Sequence, residues 1–122
     1  MRVLLDECFP KSLARHLVGH EVSTVVKEGW GTLKNGVLLA SADGRWDVLL
    51  TTDKNIPWQQ SVARFRIAVL VVRAFANSRA ALEPFMPAVL AELPELKPGT
   101  MGFVGEPKLL PPREGSATRI AG

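Results

Sequence analysis

Two apolar runs that end abruptly in acid constrain this chain more than any other feature of it. Val3-Leu4-Leu5 leads directly into Asp6-Glu7, and Val48-Leu49-Leu50 passes through Thr51-Thr52 into Asp53-Lys54-Asn55. Each run is rich in branched aliphatics and too brief for a helix, so each reads as a short buried strand. A carboxylate placed directly after such a strand is delivered to its carboxyl end, where open parallel sheets form their ligand crevices.

The remaining strands and helices follow in alternation. Pro10 suits the first turn of a helix over about residues 10 to 18, with Leu13, Leu17 and Val18 on one face and Gly19 as its stop. Glu21 to Val26 is β-branched and reads as a second strand, ended by Gly29-Trp30-Gly31. Asn35 or Gly36 is suited to cap a second helix through Ala42, and Asp47 to Thr52 is the third strand. Pro57 disfavours helical geometry at Ile56, which predicts a loop over 53–57 and a short polar helix around Trp58 to Ala63.

Ile67 to Val72 is six consecutive apolar residues, mostly β-branched, and predicts a central strand buried on both faces, with Arg73 at its end. Asn77 or Ser78 caps a longer helix carrying Leu82, Phe85, Met86, Val89, Leu90 and Leu93 at helical spacing. Thr100 to Val104 predicts a last strand, assigned to an edge because an interior position tolerates Gly102 poorly. The fold class expected is α/β, a three-layer α/β/α arrangement with a mainly parallel sheet of four to five strands. One domain spans residues 1–104, and 105–122 forms an extended tail, flexible from about residue 112.

Composition narrows the setting. The chain has 122 residues, enough for one domain with a sizeable core, and at 47% hydrophobic and 22% charged its main body is not a disordered segment. Its net charge of +3 comes from scattered basic residues, which permits a polyanionic partner without specifying one. Cys8 is the one cysteine, so neither an internal disulfide nor a cysteine-rich zinc site is open to it. No apolar leader opens the sequence and no run reaches 18 apolar residues, so a soluble protein of the reducing cytoplasm, not a membrane protein, is expected.

Asp6, Glu7, Asp53, Asn55 and Arg73 therefore fall at one edge of the sheet. Carboxylates that converge there repel one another and call for a compensating cation, and hard oxygen ligands select Mg²⁺ or Mn²⁺. A metal of that kind activates water toward a phosphodiester. The plainer alternatives are a helix cap or an ion pair: Arg73 clamps a phosphate, or it pairs with Asp6 or Asp53 and takes the metal's place. Thr51 and Thr52 are strand formers first, with the Thr52 hydroxyl available to support the site. His16 and His20 have the i, i+4 spacing of a zinc pair, but Gly19 breaks the helix between them and no glutamate follows His16. Cys8 beside the acidic pair is a poor nucleophile, because that charge disfavours the thiolate. Trp30, Trp46 and Trp58 read as packing residues, with Trp58 also able to offer a stacking surface to a base.

The order Val3-Leu4-Leu5-Asp6-Glu7, Pro10, Gly19-His20-Glu21-Val22, then Val48-Leu49-Leu50-Thr51-Thr52-Asp53-Lys54-Asn55 resembles the small PIN-like proteins of the DUF5615 and Mut7-C group over roughly residues 1 to 93. The resemblance implies a PIN-like fold, an acidic pocket holding Mg²⁺ or Mn²⁺, and ribonuclease activity of the kind found in toxin–antitoxin pairs. On that basis Asp6 and Asp53 are catalytic, and Asp6, Glu7 and Asp53 hold the metal; Asn55 joins the metal ligands on its own chemistry, since an asparagine carbonyl can still ligate the ion or hold a metal-bound water. Arg73 and Thr52 are the candidate substrate-binding residues, on the strength of their place at the strand ends and not of the resemblance. An antitoxin protein is the further partner it implies; a homodimer is expected on separate grounds, because small domains with hydrophobic helices such as that over 82–93 often pair. The chain departs from the group in carrying Asn35, and Asn55-Ile56, where its members often carry an acid and an Asp-Phe pair.

Two other readings use the same residues. One is a PIN-like module with an attenuated site that binds RNA or a protein. The other is a receiver-like signalling domain in which Asp53 accepts a phosphoryl group. That reading expects Ser or Thr after strand four and Lys after a fifth parallel strand, whereas strand four here ends in Arg73-Ala74 and the sequence predicts no such lysine-bearing strand.

Overall fold

A computed structural model describes residues 1–53 and 62–106 of the chain, together with the backbone of residues 118–121. The strands are β1 (Arg2–Leu5), β2 (Glu21–Thr24), β3 (Val48–Thr51), β4 (Ala68–Arg73), β5 (Met101–Gly105) and β6 (Thr118–Ala121). They form one parallel sheet in the order β2-β1-β3-β4-β5-β6. The α/β class and the parallel sheet are as the sequence predicts. Each of the first four strands lies within the predicted range or one residue beyond it.

The far side of the sheet departs from expectation twice. β5 is an interior strand, not an edge strand: Gly102 pairs with Leu70 of β4 on one side and with Arg119 of β6 on the other. Thr118–Ala121 is the sixth strand, so for those four residues the expected flexible tail is corrected. A physical reason connects the two findings. As an edge, β5 would leave a row of backbone N–H and C=O groups unpaired, and a short added strand satisfies them.

Period-two alternation divides the strand side chains between two apolar clusters. Val3 and Leu5 of β1, Leu50 of β3, and Leu70 and Val72 of β4 pack with Leu13, Leu17, Leu82, Met86, Val89 and Leu93. Leu4, Leu49, Val69 and Val71 lie in the other cluster with Leu38, Leu39, Ala42, Trp46 and Val62. Both faces of the central strands are thus covered by apolar residues from other elements, which explains why Ile67 to Val72 reads as an unbroken hydrophobic run.

The helical elements are shorter than their periodicity predicts. The first is a 3-10 helix, Lys11–His16, a tight connector that buries Leu13. Helix α1 spans Asn35–Ala42 with Lys34 at its N-cap and no side-chain cap, so the expected capping by Asn35 or Gly36 is not what starts it. The expected long helix is four short pieces: α2 (Arg79–Leu82), a 3-10 turn (Glu83–Phe85), α3 (Met86–Glu92) and a second 3-10 turn (Leu93–Glu95). Pro84, Pro87 and Pro94 each lack the N–H that the α ladder needs, so the segment alternates between helix types. Ser78 caps it as predicted, its Oγ accepting from the Ala81 N–H at 3.2 Å. Among the described residues no helix is long and apolar enough to cross a membrane.

Candidate acidic site at the sheet switch point

The strand order reverses between β1 and β3: the chain first builds β2 on one side of β1 and then returns to place β3 on the other. The carboxyl ends flanking such a switch form the crevice in which doubly wound sheets bind ligands. Asp6 follows β1 and Asp53 lies two residues past the end of β3, so both predicted catalytic carboxylates stand at this position.

Register carries the local geometry. Leu5 pairs with Leu50, and the Asp6 N–H continues the ladder onto the Leu50 carbonyl at 2.9 Å. Asp6 and Thr51 are therefore neighbours at the ends of adjacent strands, and the Thr51 hydroxyl donates to Asp6 Oδ2 at 2.7 Å. The same Oγ1 accepts from the Asp53 N–H at 3.1 Å. Thr51 is fully buried, so this hydroxyl ties one aspartate's carboxylate to the other's backbone out of reach of solvent. Asp6 Oδ1 accepts from the Glu7 N–H at 2.9 Å, and the Cys8 thiol lies 3.6 Å from Oδ2 and 3.4 Å from the Thr51 hydroxyl.

Arg73, at the end of β4, approaches from the next strand. Its Nη1 donates to the Thr52 carbonyl at 2.6 Å. Burial pushes the guanidinium below its ordinary pKa, and the negative charge of Asp53 pushes it back up. The arginine charge therefore sits beside the Asp53 carboxylate. The contact that Arg73 makes in the structure is to the Thr52 carbonyl, with the charge of Asp53 acting on it electrostatically.

The other predicted site residues divide. Glu7 is exposed and lies on the β2 side of Asp6, near Gly31. It lines a cleft of about 760 Å³ together with Asp6, Cys8, Lys11, Val26 and Lys27. Thr52 is buried and meets Arg73 through its main-chain carbonyl, while the hydroxyl that supports Asp6 belongs to Thr51. Asn55, the expected loop over 53–57 beyond Asp53, and most of the expected helix around Trp58 lie outside the described residues. Asn35, where the resembled family often carries an acid, is the first residue of α1. Among the described residues, no group of three or more His, Cys, Asp or Glu side chains is arranged to hold a metal ion.

His16 is engaged elsewhere, its Nε2 lying 2.8 Å from Glu83 Oε2 in a cluster with Arg15 and Arg79. The strand after β4 that a receiver-like domain requires is present as β5, which corrects the strand count used against that reading. Its described end is Gly105-Glu106, Lys108 lies outside the described residues, and β4 is followed by Ala74 where a hydroxyl would be needed.

No protein-family model matches the chain, and neither a curated protein nor a solved structure shows significant similarity to it.

Proposed function

We propose that the protein is a PIN-like ribonuclease of three-layer α/β/α architecture that hydrolyses RNA phosphodiesters with Mg²⁺ or Mn²⁺, of the kind that serves as the toxin of a toxin–antitoxin pair. The observation that carries the reading is the pairing of Asp6 and Asp53 across the switch point, linked through the buried Thr51 hydroxyl. Two carboxylates at a water-accessible edge suit a small hard cation that keeps several waters and completes its shell with substrate phosphate. Asp6 and Asp53 would hold it, with Glu7 as the further acid. When bound, the ion supplies charge neutralisation at the scissile phosphate and Lewis acidity toward the attacking water.

The chain's own groups do the positioning. Thr51 holds the Asp6 carboxylate by donating to Oδ2, and Asp6 lines the cleft. The Glu7 N–H holds the other oxygen. Arg73 offsets the charge of Asp53, lowering the repulsion between the two aspartates before a substrate arrives.

That last feature favours a second reading, in which Arg73 stands in for the cation and the fold binds RNA or a protein without cutting it. Cleavage of a single-stranded RNA in the presence of Mn²⁺ separates the two. Under the nuclease reading the wild type cleaves and Asp6→Asn does not, a loss of at least about a hundredfold if the ion supplies several kcal/mol of transition-state stabilisation. No metal-dependent cleavage by the wild type contradicts it and leaves the attenuated module.

A further inference from the structure

The carboxyl edge of the sheet holds more than the acidic pair. Among the described residues the exposed large hydrophobics are Met1, Val18, Val26, Val37 and Phe75, and the last three stand at this edge. Val26 follows β2, Val37 lies in the first turn of α1, and Phe75 lies two residues past the end of β4. Phe75 is 78% exposed, and no other described aromatic residue is in the exposed class. An exposed aromatic ring beside a charged crevice is informative, because the fold gains nothing from leaving it in water.

Basic groups stand across the aspartates from Phe75, on the β2 side where Val26 lies. Lys11 and Lys27 are exposed and line the cleft that also contains Asp6 and Val26. Among the described residues neither ammonium is in an ion pair. Strand order sets the sequence of features along the edge: Lys27 and Val26 after β2, Asp6 after β1, Asp53 after β3, and Arg73 with Phe75 at and beyond the end of β4. With neighbouring strands spaced about 4.8 Å, the line from β2 to β4 is roughly 14 Å long.

We propose that a single-stranded polynucleotide lies along this line, with a base stacked on Phe75 on one side of the aspartates and a phosphate held by Lys11 and Lys27 on the other. The inference rests on the nuclease reading for the place of the scissile bond, and it adds the residues that hold the strand. An unpaired strand is required, since a base within a duplex has no face to offer Phe75. Stacking on an aromatic ring is indifferent to base identity, so Phe75 contributes affinity without sequence preference.

The test is fluorescence anisotropy of labelled dodecauridylate bound to the full chain in chelator, where nothing is cleaved. Phe75→Leu weakens binding about tenfold with the salt dependence unchanged, and Phe75→Trp restores it. Lys11→Gln and Lys27→Gln each reduce the slope of log affinity against log salt by about 0.7. Lys97→Gln, which removes the same charge at the amino edge ahead of β5, leaves that slope unaffected by comparison. Wild-type affinity in Phe75→Leu, an equal effect of Lys97→Gln, or equal affinity for a duplex of the same length overturns the proposal. So does absence of binding, which would leave the apolar rim to a protein partner. Retained binding without metal-dependent cleavage counts against the nuclease reading alone.

Discussion

Thr51 donates its hydroxyl to Asp6 Oδ2 at 2.7 Å, and the two residues occupy equivalent positions at the ends of adjacent parallel strands. The hydroxyl also accepts from the Asp53 N–H, so one buried oxygen holds the Asp6 carboxylate and the Asp53 backbone. Replacing it with a methyl group isolates its contribution. Thr51→Val leaves the Asp53 N–H without its acceptor and removes the hydroxyl donor to Asp6 Oδ2, and costs about 1–3 kcal/mol by urea denaturation. Thr51→Ser keeps the hydroxyl and recovers most of that loss. Metal-dependent cleavage should fall in Thr51→Val and persist in Thr51→Ser.

This relationship was legible in the sequence, but only once strand register was considered. Val3-Leu4-Leu5 and Val48-Leu49-Leu50 are the same three-residue string, and the sheet pairs them residue for residue. The fourth position of each string is then Asp6 and Thr51. Reading the strings separately identifies the acids, which follow the strands, and assigns the supporting hydroxyl to Thr52 instead of Thr51. The β-α alternation and the central strand were equally legible, because burial on both faces imposes a continuous apolar run. The short helices were legible only in part: Pro84 and Pro87 predict a kink or frame in the first turns, but the apolar spacing of Leu82, Met86, Val89 and Leu93 reads as one helix where the structure breaks it at three prolines. β6 was not legible, because its role depends on an edge created by strands distant in sequence.

Gly105 is held in a conformation that only glycine adopts readily. Its φ is +129°, and a Cβ there would lie 2.1 Å from the Arg73 carbonyl oxygen. Gly105→Ala must therefore push β5 away from the end of β4, at a cost of about 2–4 kcal/mol from combined strain and contact. The displacement falls on Arg73, so the variant should also weaken the hold of Arg73 on the Thr52 carbonyl. Thermal unfolding and the RNA-binding assay read the two effects separately.

At the opposite edge, Asp47 ties β1 to the start of β3. Its Oδ2 accepts from the Arg2 N–H at 2.7 Å, and its Oδ1 pairs with the Arg2 guanidinium at 3.2 Å. Burial raises the Asp47 pKa, but the Arg2 hydrogen bonds and charge outweigh it and hold the carboxyl below its ordinary value. A depressed carboxylate contributes stability that is present above its unfolded pKa and is lost as pH falls through the folded one. The side chain is 40% exposed, so solvent screening limits the contribution to about 0.5–1 kcal/mol. Asp47→Asn should lower stability by that amount at pH 7, and the difference from wild type should shrink as pH falls through the depressed pKa of the folded carboxyl, as chemical denaturation over a descending pH series would show.

Ser78 provides a simpler control, because its hydroxyl caps α2 and bonds to neither acid. Ser78→Ala removes the acceptor for the Ala81 N–H and should cost about 1 kcal/mol. Metal affinity and RNA binding should be unchanged, which distinguishes global destabilisation from damage to the site.

The most direct test of the account is calorimetric titration of Mn²⁺ into the wild type, Asp6→Asn and Asp53→Asn, at neutral pH and moderate salt. The account predicts one saturable site in the wild type that is lost in both variants, because the two carboxylates across the switch point hold the same ion. No binding by the wild type at millimolar metal, or undiminished binding in either variant, would contradict it.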